Sequence, residues 1–142
     1  MSDAPDTLLA FDGRYSAAVH ARGCADALSA GKESVAFRWC IQLSDDLKAV
    51  GAARLAELVS EAAPLTGDIR YDALIAAIVE NACTHTGVPA PAWVEEGSRT
   101  ISTPTQWYSR ELTYLHDEAS LSALPIFRAH GVLILPGEFE SV

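Results

Sequence analysis

Residues 68–87 read DIRYDALIAAIVENACTHTG. Within this stretch Leu74, Ile75, Ile78, Val79 and Ala82 recur at steps of three and four, the spacing that lines side chains along one face of an α-helix. No other helical face in the chain is as apolar. Asp68 supplies an N-cap carboxylate, and Gly87 can take the left-handed conformation that ends a helix. Just upstream, Pro64-Leu65-Thr66-Gly67-Asp68 provides a helix breaker, a flexible residue and a cap in order. We read this stretch as the central core helix, which the rest of the chain must cover.

Upstream, Leu55, Leu58, Val59 and Ala62 predict a short amphipathic helix over 52–62 after a break at Gly51. From Lys32 to Val50 the stripe Val35, Trp39, Leu43, Leu47, flanked by Ala36 and Cys40, predicts a longer one. Phe37 and Ile41 sit off that stripe and form a second apolar face, suited to burial within the domain or to a homodimer surface. A first helix is expected from about Thr7 to Leu28, capped by Asp6 and stopped at Ser29-Ala30-Gly31. Gly13 and Gly23 weaken it by roughly 1 kcal/mol each relative to Ala and leave open a division into two pieces. Downstream, Val88-Pro89-Ala90-Pro91-Ala92-Trp93 must be largely extended, because each proline restricts its predecessor. Trp93 is expected to anchor it on the core. Residues 94–106 read as a polar loop carrying little packing, 106–118 and 121–131 as short helices, and Val132-Leu133-Ile134-Leu135 as a β-prone run. Its expected pairing partner is an extended piece near 98–103 or another chain's edge. The fold class that results is mainly α, a single helical domain over 1–142 with a small C-terminal β element, residues 1–31 forming an N-terminal helical extension.

Composition narrows the function. The 142 residues are 49% hydrophobic, which suits one packed domain and excludes general disorder. Ten lysines and arginines against nineteen acids give a net charge of −9. That field repels nucleic-acid phosphates and anionic membranes and attracts basic proteins. Acids near Met1 and the brevity of the apolar run 73–79 predict a cytoplasmic protein that does not enter a membrane. Cys24, Cys40 and Cys83 are odd in number and widely spaced, which suits buried reduced thiols.

Candidate chemistry is sparse. His116-Asp117-Glu118 places an imidazole beside two carboxylates, although adjacent helical residues face different directions, and a solvated helix end accounts for it. Cys83-x-His85 lacks the second ligand pair of a zinc site, and burial would make Cys83 inert as a nucleophile. Arg14-x5-His20 and Arg110-x5-His116 resemble the arginine–histidine motif of HEPN-type ribonucleases, small helical proteins in which the pair polarises a phosphodiester and moves its proton. About 0.7 such matches arise by chance in a chain of this composition. Asp45-Asp46 and Glu95-Glu96 read as solvated acid pairs that a basic partner would meet. There is no glycine-rich phosphate loop, nucleophile elbow or HExxH.

Four blocks in order carry a resemblance: Ala63-Pro64-Leu65-Thr66-Gly67-Asp68 through Leu74, Gly87-Val88-Pro89-Ala90-Pro91-Ala92-Trp93, Trp107-Tyr108, and Pro125-Ile126-Phe127-Arg128-Ala129-His130-Gly131-Val132. Over about residues 33 to 142 the chain resembles actinobacterial antitoxin-like proteins of the XRE-type regulator group. In that group a helical domain with these blocks usually follows a helix-turn-helix head, and the residues preceding the resemblance here are too few for one. The resemblance implies a neutraliser of a cognate toxin, often of nucleotidyltransferase type, bound through the folded surface. It implies no catalytic residue.

The expectation is a non-enzymatic antitoxin with no cofactor and no metal, binding no nucleic acid directly. Its candidate contacts are Asp45, Asp46, Glu95 and Glu96, with Trp107 and Tyr108 as aromatic anchors. Two alternatives stay open: a HEPN-like ribonuclease, and a regulator subunit that reaches DNA only through a partner.

Overall fold

The computed structural model describes residues 14–100, together with 107–108, 126, 129–130 and 132–133. The described part is mainly helical. Its helices are α1 (Ala17–Ser29), α2 (Glu33–Lys48), α3 (Ala52–Val59) and α4 (Ile69–Thr86), followed by 3₁₀ turns at Ala92–Glu95 and Gly97–Arg99.

Helix α4 is the centre. Every residue from Tyr71 to Val79 is buried, as are Ala82 and Cys83, so the helix is enclosed on all sides instead of presenting one stripe. Its neighbours are α1, α2, α3, both 3₁₀ turns and Val132–Leu133. At its start the Asp68 carboxylate accepts from the Arg70 amide at 3.0 Å. Asp72 Oδ1 accepts from the amide and hydroxyl of Thr66 at 2.7 and 2.9 Å, which pins the turn through Gly67. At its end Gly87 has φ +79°, and the Val88 amide reaches back to the Cys83 carbonyl at 2.9 Å. This is the Schellman closure, and it satisfies carbonyls the helix leaves open.

Ser16, not Asp6, caps the first described helix, its hydroxyl accepting from the Val19 amide at 3.2 Å. Arg14–Ser16 are therefore non-helical. The predicted portion before Arg14 lies outside the described residues. α1 is one continuous helix through Gly23, so the expected weakness there does not divide it. It ends in a second Schellman closure at Gly31, φ +74°, with Lys32 N–H on the Ala27 carbonyl at 2.8 Å. The buried face of α1 is built from Ala17, Ala18, Ala21, Cys24 and Ala27. Such small side chains let α2 approach closely. A Cβ added at Gly23 would lie 2.3 Å from the Trp39 ring, so the indole occupies the space a larger residue would need.

In α2 the buried face is Ala36, Cys40, Leu43, Ser44, Asp46 and Leu47. The predicted stripe is rotated: Val35 and Trp39 are half-buried at its edge, while Phe37 and Ile41 pack in part against the core. Helix α3 stops at Val59, short of the predicted Ala62, and buries Leu55, Leu58 and Val59. Trp93 anchors the extended Pro89–Pro91 stretch as expected, donating from Nε1 to the Val59 carbonyl at 3.0 Å.

The expectation of a loosely packed loop after Trp93 is overturned for its described part. Val94 and Arg99 are fully enclosed, because two successive 3₁₀ turns direct them inward. Trp107–Tyr108 are extended where a helix was predicted, and they run parallel to Val132–Leu133, with Trp107 opposite Val132. The remainder of the two predicted C-terminal helices lies outside the described residues except for Ile126 and Ala129, which are helical.

Gly23→Ala is expected to destabilise the fold by roughly 1–3 kcal/mol through overpacking, although alanine is intrinsically the better helix former. Urea denaturation checks this, and adding Trp39→Leu to the same chain should recover part of the loss.

Candidate functional site

Three polar clusters stand out against the apolar core. The first lies between α1 and α2. His20, 1% exposed, directs Nδ1–H to the Ser16 carbonyl at 2.8 Å and brings Nε2 to 3.1 Å from Asp46 Oδ2. The second contact is an ion-pair approach without hydrogen-bond alignment. Asp46 also accepts from Gln42 Nε2 at 2.9 Å and from the Tyr15 amide at 3.4 Å. Tyr15 and Trp39 meet the imidazole edge to face, with ring centroids 6.1 and 5.7 Å away. Asp46 is thus 6% exposed and not the solvated acid predicted from its position beside Asp45. The helix turn that puts Leu47 inward carries Asp46 toward His20, and Asp45 remains half-buried.

The second cluster surrounds Arg99, 1% exposed. Its guanidinium lies 4.8 Å from the centroid of the Trp93 ring, and Nη2 donates to the Ala63 carbonyl. Among the described residues, Nε and Nη1 have no hydrogen-bond partner. Burial lowers the Arg99 pKa, while the nearby carboxylates of Asp72 and Glu96 act in the opposite direction. The backbone carbonyl of Arg99 accepts from His130 Nδ1 at 2.6 Å, and His130 Nε2 meets Glu80 Oε1 at 2.7 Å. The imidazole thereby connects the second 3₁₀ turn to α4.

The third cluster borders a cleft of about 410 Å³ where the end of α1 faces the starts of α2 and α4. Arg70 grips Asp68 through Nε and Nη2 at 3.0 and 2.7 Å, and approaches Glu33 at 3.4 Å. Tyr71 donates its hydroxyl to Glu33 at 3.2 Å. The guanidinium holds the Asp68 carboxyl below the usual range and the carboxylate in turn raises Arg70. Burial first, then the Glu33 charge, pushes the Tyr71 phenol far up, so it stays a donor. This cleft offers shape and hydrogen bonds; its carboxylates are already engaged by Arg70 and Tyr71.

The sequence-predicted residues do not gather into one place. Glu95 and Glu96 are exposed on the 3₁₀ turns, while Asp45 and Asp46 lie in the last part of α2. The side chains of Trp107 and Tyr108, and all of Arg110 and His116-Asp117-Glu118, lie outside the described residues. Cys83 is buried, its thiol pushed up by desolvation and the Glu80 charge, and His85 two residues on is exposed. Sequence reasoning missed Arg99, His130–Glu80 and Tyr71–Glu33, since none forms a local motif. The only local signal was Arg99 six residues after Trp93, too weak to single out.

Asp46→Ala is expected to cost roughly 3–5 kcal/mol, because it leaves His20 enclosed without its charged partner, whereas Glu95→Ala should stay within about 0.5 kcal/mol. Chemical denaturation of both variants measures the contrast. For Asp68 the folded pKa lies below the unfolded one, so its contribution is present above about pH 4 and is lost as the pH falls through the lowered value. Asp68→Asn should therefore flatten the acid limb of a stability–pH curve. Comparison with family models, curated proteins and solved structures found no match to this chain.

Proposed function

We propose that this chain is a non-enzymatic protein-binding domain, an antitoxin that neutralises a cognate toxin by direct contact. One observation carries the reading: the described side chains best suited to chemistry, namely His20, His130, Arg99 and the three cysteines, are enclosed among the helices, while Glu57, Glu61, Glu95 and Glu96 face solvent. Enclosed groups of this kind hold elements together, and what a second molecule meets is the exterior. Two exterior acids are compensated locally, Glu61 by Arg22 and Glu57 by Arg54, both at 3.2 Å. Residues 1–13 and 131–142 add further acids without a single lysine or arginine. A basic toxin of nucleotidyltransferase type in the cytoplasm, bound over this acidic exterior, fits that distribution.

The short parallel contact of Trp107–Tyr108 with Val132–Leu133 is the nucleus of a small C-terminal β element in this reading, and it keeps both aromatics as anchors for the toxin. No cofactor, metal, membrane or nucleic acid takes part. The competing use of the exterior is a homodimer across α2, where Val35, Arg38, Trp39 and Gln42 line a shallow groove of about 230 Å³.

Co-expression with the product of the neighbouring reading frame, followed by affinity purification, is expected to give one complex that weakens as ionic strength rises. The double variant Glu95→Gln/Glu96→Gln should weaken it by roughly three- to tenfold, mainly through slower association. Separate elution of the two products sinks the proposal. So does RNA cleavage by this chain alone that disappears on replacing His20 and His116 with alanine.

A further inference from the structure

Cys24 on α1 and Cys40 on α2 are both free thiols, and both are enclosed. Each directly follows one member of the Gly23–Trp39 contact, the place where the two helices are forced into close approach. Facing helices usually keep their axes 8–10 Å apart, and a glycine beneath an indole allows the near end of that range. The two thiols are within hydrogen-bond reach, with Cys40 donating to Cys24. This bond and burial together push the Cys40 thiol well up. Cys83, on α4, is raised instead by desolvation and Glu80. The three cysteines therefore divide into a facing pair and a separate residue.

We propose that Cys24 and Cys40 are a redox-sensitive dithiol that a hydroperoxide converts into a disulfide joining α1 to α2. A small neutral peroxide suits sulfurs that have no exposed surface, since a tripeptide disulfide cannot reach them without opening the helices. In the first step one cysteine sulfur attacks the peroxide, the O–O bond breaks, and a sulfenic acid forms; with hydrogen peroxide the departing oxygen takes up the thiol proton and leaves as water. In the second step the facing sulfur attacks the sulfenic sulfur, the S–O bond breaks, and the hydroxyl leaves with the second thiol proton as another water. Two thiols lose two electrons and one peroxide is reduced. The sulfurs must close from contact to about 2.05 Å, a movement within the rotamer freedom of two cysteines on closely packed helices. The new bond would fasten the helix pair that also encloses His20 and Asp46.

The test uses the full chain, reduced and then treated with hydrogen peroxide under native conditions, followed by alkylation in denaturant, intact mass measurement and peptide mapping. The expected product is lighter by about 2 Da before alkylation, carries a Cys24–Cys40 cross-link, and retains Cys83 as its one alkylatable thiol. Dithiothreitol should restore three. The oxidised chain should melt roughly 5–10 °C higher than the reduced one. Cys83→Ser should behave identically. The proposal is overturned by three thiols that stay alkylatable, a bond that includes Cys83, cross-linking between chains, sulfinic acid without a cross-link, or an oxidised form that melts lower.

Discussion

Enclosure of α4 is the constraint on which the other elements depend. A helix with nine consecutive buried residues from Tyr71 to Val79 cannot be satisfied by a single partner, so α1, α2, α3 and the 3₁₀ turns have to surround it. Such an environment leaves no water for unpaired backbone groups, which is why both ends of α4 are closed by specific bonds. Asp68 and the Thr66–Asp72 contacts serve the amides, and the Gly87 closure serves the carbonyls.

Covering a central helix with short ones brings polar side chains inside. The α1–α2 contact is lined by alanines and Gly23, and the close approach it permits traps the His20 imidazole between Ser16, Asp46 and two aromatic rings. Arg99 is brought in by the 3₁₀ turns, its guanidinium over Trp93 and its charge facing Asp72 and Glu96. Buried charges of this sort confer little net stability over apolar replacements, yet removing one partner is costly. They specify how the elements meet. The protein-binding role proposed for the chain then rests on the exterior, where carboxylates dominate the segments after α3 and α4.

The elements that local chemistry controls were legible. Asp68 as a cap, Gly31 and Gly87 as helix ends, Trp93 as an anchor after two prolines and the three thiols as free and buried can each be read from a few neighbouring residues, and each is found. The candidate site was not legible in the same way. Asp46 was indistinguishable from Asp45 as a surface acid until the rotation of α2 about its axis was known. Arg99 looked like an ordinary loop cation, and the span from Ala63 to Arg99 that buries it exceeds any motif length.

The sequence by itself determined that four helices form, where three of them end within a few residues, and that the longest apolar one lies in the middle. Those outcomes follow from period, capping and backbone restriction, which act over one or two turns. Tertiary structure alone decided that Gly23 makes room for Trp39, that Cys24 faces Cys40, and that His20, Asp46 and Arg99 lie inside. These depend on which helix faces meet and how closely, and the packing of side chains distant in sequence sets both.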